Sequence, residues 1–179
     1  SGTGVNPSRD AVYYILEEMG ASLKKTNNRL AGKEPVSDLF VESSDLKPIH
    51  LDPALIPNCI DELPILMVAM CFADGKSVIT GAEELRHKET DRLSAMAEIL
   101  NLAGTEVELQ QDGIIIQGRR DFKPSAATFP TYHDHRMAMA AAVLATKGTD
   151  TSAITHADCT AISYPKFWTD LQTLSDSAA

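Results

Sequence analysis

The densest chemistry in this sequence lies in seven residues, Arg86-His87-Lys88-Glu89-Thr90-Asp91-Arg92. They read as the junction of a loop with a helix that begins near Thr90. Glu89 and Asp91 suit a helix N-terminus, which carries partial positive charge. Lys88 and Arg92 do not. At i, i+4 on a helix they point the same way, so a like-charge pair would stand at the positive end of a dipole. An anionic ligand would relieve that arrangement. A solvated cap, with Lys88 and Arg92 paired to Glu89 and Asp91, uses the same residues without a ligand.

Two further segments place charge at the start of an apolar run. In Tyr132-His133-Asp134-His135-Arg136-Met137-Ala138-Met139, Arg136 falls in a first helical turn, where free backbone N–H groups also favour anions. Arginine is suited to bidentate contact with carboxylate or phosphate. The alternative is that Asp134 caps the helix and pairs with Arg136. A metal site on His133, Asp134 and His135 lacks the further His or Cys that would complete a ligand set. In Pro57-Asn58-Cys59-Ile60-Asp61-Glu62-Leu63-Pro64-Ile65, Asp61 can act as an N-cap. It can also serve as a general base if a substrate hydroxyl comes within hydrogen-bond reach. If the helices pack side by side, three N-termini carrying Asp61, Lys88/Glu89/Arg92 and Asp134/Arg136 converge on one anion-binding wall.

The elements that must position these residues follow from periodicity and punctuation. Amphipathic helices are expected from about Arg9 to Met19, stopped by Gly20, from Thr90 to Gly104, and from Pro165 to about Leu174. Asp61 to Ala73 and His135 to Thr146 are richer in Ala and Met and read as inner helices packed on several sides. Strands are expected at Ser77–Thr80, Thr105–Leu109 and Gly113–Gln117, with shorter candidates at Leu39–Glu42 and Thr151–Thr155. Asp112-Gly113 marks a hairpin between two of them. The order inner helix, strand, loop, outer helix occurs twice, and the helix from Arg9 fits the outer slot of an earlier unit. The fold class is α/β, built of two fuller units and the tail of another, and the pattern implies truncation.

Composition sets limits. The chain has 179 residues, is 44% hydrophobic and 23% charged, and carries a net charge of −9, so its average surface does not attract nucleic acid or anionic membrane. Three cysteines without a CxxC spacing point to a reducing, cytoplasmic setting rather than a disulfide framework. No apolar run has the length of a membrane span. The first residues, Ser-Gly-Thr-Gly, show no signal peptide. No P-loop, GxGxxG after a strand, GxSxG or HExxH occurs, which leaves a small polyanion as the expected ligand class, with no metal and no cofactor.

Arg86-His87-Lys88-Glu89-Thr90-Asp91-Arg92-Leu93 resembles the R-x-K-E-[ST]-D-R-[LI] signature of the 5-enolpyruvylshikimate-3-phosphate synthase family, and Asp134-His135-Arg136-Met137-Ala138-Met139 resembles its D-H-R-x-A-M signature. Ile60 to Ile65 and Asn6-Pro7-Ser8-Arg9 resemble segments of its bacterial class II branch. The resemblance covers nearly the whole chain in order. It implies an enolpyruvyl transferase-type domain of βαβαββ units with inner helices and outer sheets, here an incomplete set of three. It also implies that residues 1–179 are a partial C-terminal domain of a two-domain enzyme, without the N-terminal domain that would be its partner. The implied substrates are shikimate 3-phosphate and phosphoenolpyruvate. By resemblance Asp61 matches the general base, Lys88 a lysine on the shikimate side, Glu89 a group for proton exchange, and Arg92 and Arg136 the arginines that hold phosphoenolpyruvate. Some branches carry a lysine where Ile162 stands here, which leaves one anion contact unassigned. The sister UDP-N-acetylglucosamine enolpyruvyl transferases share fold and reaction type but lack the K-E-T-D-R signature. A non-catalytic anion-binding module, in which Asp61 and Glu89 are only caps, is the rival from another class.

Overall fold

A computed structural model describes residues 1–176. The first unit comprises β1 (Thr3–Gly4), α1 (Ala11–Glu18), β2 (Ser22–Ala31) and β3 (Glu34–Glu42). The second follows a 3-10 turn at Pro53–Asn58 with α2 (Leu63–Cys71), β4 (Gly75–Ile79), a 3-10 turn at Glu83–His87, α3 (Arg92–Leu102), β5 (Glu106–Leu109) and β6 (Ile114–Gly118). The third holds β7 (Thr128–Phe129), α4 (His135–Ala145), β8 (Ala153–Ile154), a 3-10 turn at Ala157–Ile162 and α5 (Phe167–Asp176).

Sheet topology makes the repeat explicit. The first sheet runs β1-β3-β2 and the second β4-β6-β5, the same order with antiparallel pairing throughout. In the second unit His50 bridges Val78 in parallel, so α2 is the crossover between two parallel strand segments. In the third, β7 pairs with β8 in parallel across α4. The chain is therefore an α/β structure of repeated units, and α1 occupies the outer-helix slot of the first.

Burial separates the helices. In α2 only Ile65 and Ala69 escape full burial, and in α4 Met137, Ala138, Ala140, Ala141, Ala142 and Leu144 are buried. These two form the inner layer. Helix α2 presents large Leu, Met and Val side chains on nearly all sides and α4 mostly alanines, and an apolar surface all round suits a helix enclosed on several sides. Helix α3 departs from the amphipathic expectation, because seven of its eleven residues are buried, Arg92 among them. It packs against both α2 and α4. Helices α1 and α3 each stop in a Schellman arrangement: Gly20 N and Gly104 N donate to Glu17 O and Asn101 O, and both glycines have positive φ.

Two differences from the sequence reading have physical causes. β2, a ten-residue strand, was not expected, because its Ser-Leu-Lys-Lys-Thr-Asn-Asn-Arg-Leu-Ala run is polar on both sides. The structure leaves that ribbon largely exposed and holds it by pairing with β3, through a bulge between Thr26 and Arg29. β3 in turn begins at Glu34, before the expected Leu39. Helix starts are also later than expected: α3 begins at Arg92 rather than Thr90, because Asp91 Oδ1 accepts from Ser94 N at 3.0 Å and acts as the cap.

The close approach of β6 to α2 limits what can stand at Gly118. A Cβ there would lie 2.1 Å from Met70 O and 2.3 Å from Ala73 O. Gly118→Ala should destabilise the chain by about 2 kcal/mol or more in chemical denaturation. An unchanged midpoint would mean that the two elements can separate without cost.

Candidate functional site

The site is assembled from four places in the chain that meet at Asp61. Asp61 precedes α2 and does not cap it. The N-cap position is Glu62, and it makes no side-chain cap bond. Instead the Asp61 carboxylate faces three guanidinium groups. Arg136 Nη2 lies 2.9 Å from Oδ2 and Arg9 Nη2 lies 3.0 Å from the same oxygen. Arg92 Nη1 lies 3.5 Å from Oδ1. Arg136 Nη1 also donates to the Asp61 backbone carbonyl at 2.7 Å, so Arg136 holds this residue at two points.

A second carboxylate organises the arginines from below. Asp134 caps α4, its Oδ1 accepting from Arg136 N at 2.8 Å. Its Oδ2 accepts from Arg92 Nε at 2.8 Å. Both side chains of that pair are buried, Arg92 at 2% and Asp134 at 0% exposure. Of the alternative in which Asp134 caps the helix and pairs with Arg136, the cap is present, but the side-chain pair is Asp134–Arg92, with Arg136 turned toward Asp61. Both Asp134 oxygens are engaged by arginine groups, and His133 stacks on His156 with ring centroids 3.8 Å apart. The metal alternative therefore loses its carboxylate. Among the described residues no group of three or more His, Cys, Asp or Glu stands in an arrangement that could hold a metal ion.

The Arg86–Arg92 segment divides into two jobs. Arg86 donates to Gln110 O and Gln111 O at 2.6 and 2.7 Å and to Asp91 Oδ2 at 2.7 Å, clamping the hairpin loop to the start of α3. Burial alone would raise the Asp91 carboxyl, but hydrogen bonds from Ser94 and Arg86 outweigh it and hold the group below the usual range. Lys88 is not in helical register with Arg92. It is extended, outside α3, and pairs closely with Glu84. The like-charge pair expected at i, i+4 does not form. Arg92 Nη2 pairs with Glu89 at 2.6 Å, and Glu89 is 58% exposed.

The structure thus brings Asp61, Arg92, Arg136 and Glu89 into one connected cluster, with Asp134 beneath and Lys88 one residue to the side. The cations are not bare, and the Arg92–Glu89 pair is one that the ligand-free alternative in the sequence contains. Arg9, Arg92 and Arg136 are met by Asp61, Glu89 and Asp134. Of these three acids Glu89 is the most exposed.

Two residues were not identified as site members from the sequence. Arg9 stood in a recognisable Asn-Pro-Ser-Arg segment, but nothing in the spacing indicated that it reaches a carboxylate 52 positions away. Glu62 was passed over as a helix-start acid. It lines a cavity of about 230 Å³ together with Asp61, Arg136, Ile65, Met139 and Phe167. Burial pushes its carboxyl above the ordinary glutamate range, Arg136 pulls it back, and the Asp61 charge pushes it up again. Cys59, nearby, is a poor nucleophile, because burial pushes its thiol up to about 11.

The Glu62 shift carries a sign for stability. Between the ordinary and the raised pKa the folded chain binds more protons than the unfolded one, so stability falls as pH rises through that window. Glu62→Gln should raise the thermal midpoint at about pH 7 and leave it unchanged near about pH 4. An equal shift at both values would mean that the charge of Glu62 costs nothing.

Comparison with known proteins adds a family to this geometry. A family model described as EPSP synthase (3-phosphoshikimate 1-carboxyvinyltransferase) matches residues 1–171. A 3-phosphoshikimate 1-carboxyvinyltransferase from Parasynechococcus marenigrum (strain WH8102) is 43% identical over 171 residues, 96% of this chain and 38% of the relative. One from Aquifex aeolicus (strain VF5) is 44% identical over 168 residues, 93% of this chain and 38% of the relative. The 2.37 Å structure of EPSP synthase from Acinetobacter baumannii superposes with a TM-score of 0.91 at 38% identity, covering 96% of this chain and 40% of that one. The chain spans about two fifths of the length of these relatives.

Proposed function

Because this chain belongs to the EPSP synthase family, we propose that it supplies one wall of a cleft in which an enolpyruvyl group passes from phosphoenolpyruvate to the 5-hydroxyl of shikimate 3-phosphate, with release of phosphate. The observation that carries the reading is the meeting of Arg92 and Arg136, from two different helix starts, on the single carboxylate of Asp61.

Asp61 acts as general base and accepts the proton of the attacking hydroxyl as oxygen bonds to C2 of phosphoenolpyruvate. C3 takes a proton, giving a tetrahedral intermediate. That intermediate loses phosphate as C3 gives a proton back. Glu89, exposed and held only by Arg92 among the described residues, is placed for proton exchange with C3. Arg92 and Arg136 receive the carboxylate and phosphate of phosphoenolpyruvate, Arg92 becoming available as Glu89 yields. Lys88, paired with Glu84, lies at the edge and serves the shikimate side. Fixed cations are what this chemistry requires, since both substrates are multiply negative and must be held together.

The second wall belongs to an N-terminal domain, this chain being a partial C-terminal domain. A single wall cannot exclude water from both substrates. The setting we propose is the cytoplasm, where the three free cysteines remain reduced. Among the described residues no helix is long and apolar enough to cross a membrane.

In the full two-domain protein, Asp61→Ala should lower kcat by roughly 100-fold or more with little change in phosphoenolpyruvate affinity. Turnover at the parent rate would remove Asp61 from the mechanism. Arg136→Ala should weaken phosphoenolpyruvate binding roughly ten-fold or more, the cost of a charge-assisted contact, as read by titration calorimetry. Undiminished affinity would make Arg136 a structural tie for Asp61 alone.

A further inference from the structure

We propose that Arg9 is a positioning residue for Asp61: it holds one carboxylate oxygen so that the other is presented to the substrate hydroxyl. The inference rests on the reading of Asp61 as the base.

The two oxygens of Asp61 are treated differently. Oδ2 receives Arg136 at 2.9 Å and Arg9 at 3.0 Å. Oδ1 has only Arg92 Nη1 at 3.5 Å and takes no hydrogen bond among the described residues. A carboxylate doubly held at one oxygen has an uncommitted lone pair at the other, which is what proton abstraction requires. Arg136 alone would not enforce this. It grips the Asp61 backbone carbonyl and one carboxylate oxygen, and rotation about Cβ–Cγ could then bring Oδ1 toward Arg92 or Arg136. Arg9 approaches from a separate segment of the chain and opposes that rotation.

Arg9 is itself built into position. Asn6 Oδ1 accepts from Ser8 N and Ser8 Oγ at 3.1 and 2.9 Å, and Asn6 O accepts from Arg9 N at 2.8 Å. Asn6 Nδ2 donates to Glu34 at 3.2 Å, and Val5 N donates to Pro35 O at 2.9 Å, which fastens the turn to β3. The first unit thereby reaches the inner helix of the second. The Arg9 side chain is 67% exposed, and besides its ion pair with Asp61 its charge also acts on the neighbouring Glu62 carboxyl. Exposed ion pairs add little stability. A fixed turn that delivers such a side chain to the one carboxylate poised for proton transfer is accounted for by orientation rather than by folding.

The test uses the full two-domain protein. Arg9→Gln should lower kcat roughly ten-fold while KM for both substrates stays within about two-fold and the thermal midpoint is unchanged. Arg9→Lys, with a charge but no planar fork, should fall between. In an Asp61→Ala background, single-turnover rates should show no further loss on adding Arg9→Gln, because the group that Arg9 orients is gone. Unaltered kcat in Arg9→Gln, a rise in KM without a change in kcat, or a full additional loss in the Asp61→Ala background would each overturn the proposal. If Asp61→Ala itself turns over at the parent rate, the base assignment fails first and Arg9 falls with it. If Asp61→Ala is slow and Arg9→Gln is silent, only the Arg9 assignment fails.

Discussion

The buried pair between Arg92 and Asp134 is the contact from which the rest of the site is arranged. A guanidinium and a carboxylate taken out of water together lose several kcal/mol each in hydration, so the pair is a weak source of stability. What it does supply is registration. It locks the first residue of α3 to the cap of α4. That fixes Arg136, one step into α4, against Asp61 at the start of α2. The three helix starts are therefore set relative to one another by charge, while the bodies of the helices are set by apolar packing.

Packing explains why charge can be used this way. Helix α2 buries seven of its nine residues, and α3 and α4 bury seven and six of eleven. Their polar backbone ends come to a common edge, where free N–H groups and side chains must find partners. In the second unit the opposite ends of the elements are closed by backbone contact: β6 passes so near the end of α2 that Gly118 has no room for a side chain. The repeat thus yields one crowded end and one end available for chemistry. The exposed β2–β3 ribbon lies outside this scheme, yet the first residues of β3 anchor the turn that carries Arg9.

Much of the architecture was legible from residue patterns. Helices over Asp61–Ala73 and His135–Thr146 appear within about two residues of expectation at each end. The Asp112-Gly113 hairpin joins β5 to β6, and the repeat order matches the sheet topology. The helix expected from Thr90 starts later because Asp91, not an upstream residue, supplies the cap. β2 was illegible because a ribbon solvated on both faces has no alternation to read. Among site residues, Asp61, Arg92 and Arg136 were brought together as expected, and Glu89 joined them through Arg92. The helical register expected between Lys88 and Arg92 does not occur, because Lys88 is extended and lies outside α3.

By itself the sequence determined the types of group at each helix start, the α/β repeat and the family, because these depend on local spacing and on motifs a few residues long. Only the tertiary structure decided which acid meets which base. Sequence spacing offers Asp134 a partner in Arg136 two residues on, but its side chain pairs with buried Arg92, 42 positions away. Sequence position offers Asp61 as the cap of its own helix, but its carboxylate faces three arginines from elsewhere in the chain. Coulombic partners are chosen by proximity and desolvation in three dimensions, and no one-dimensional spacing encodes either.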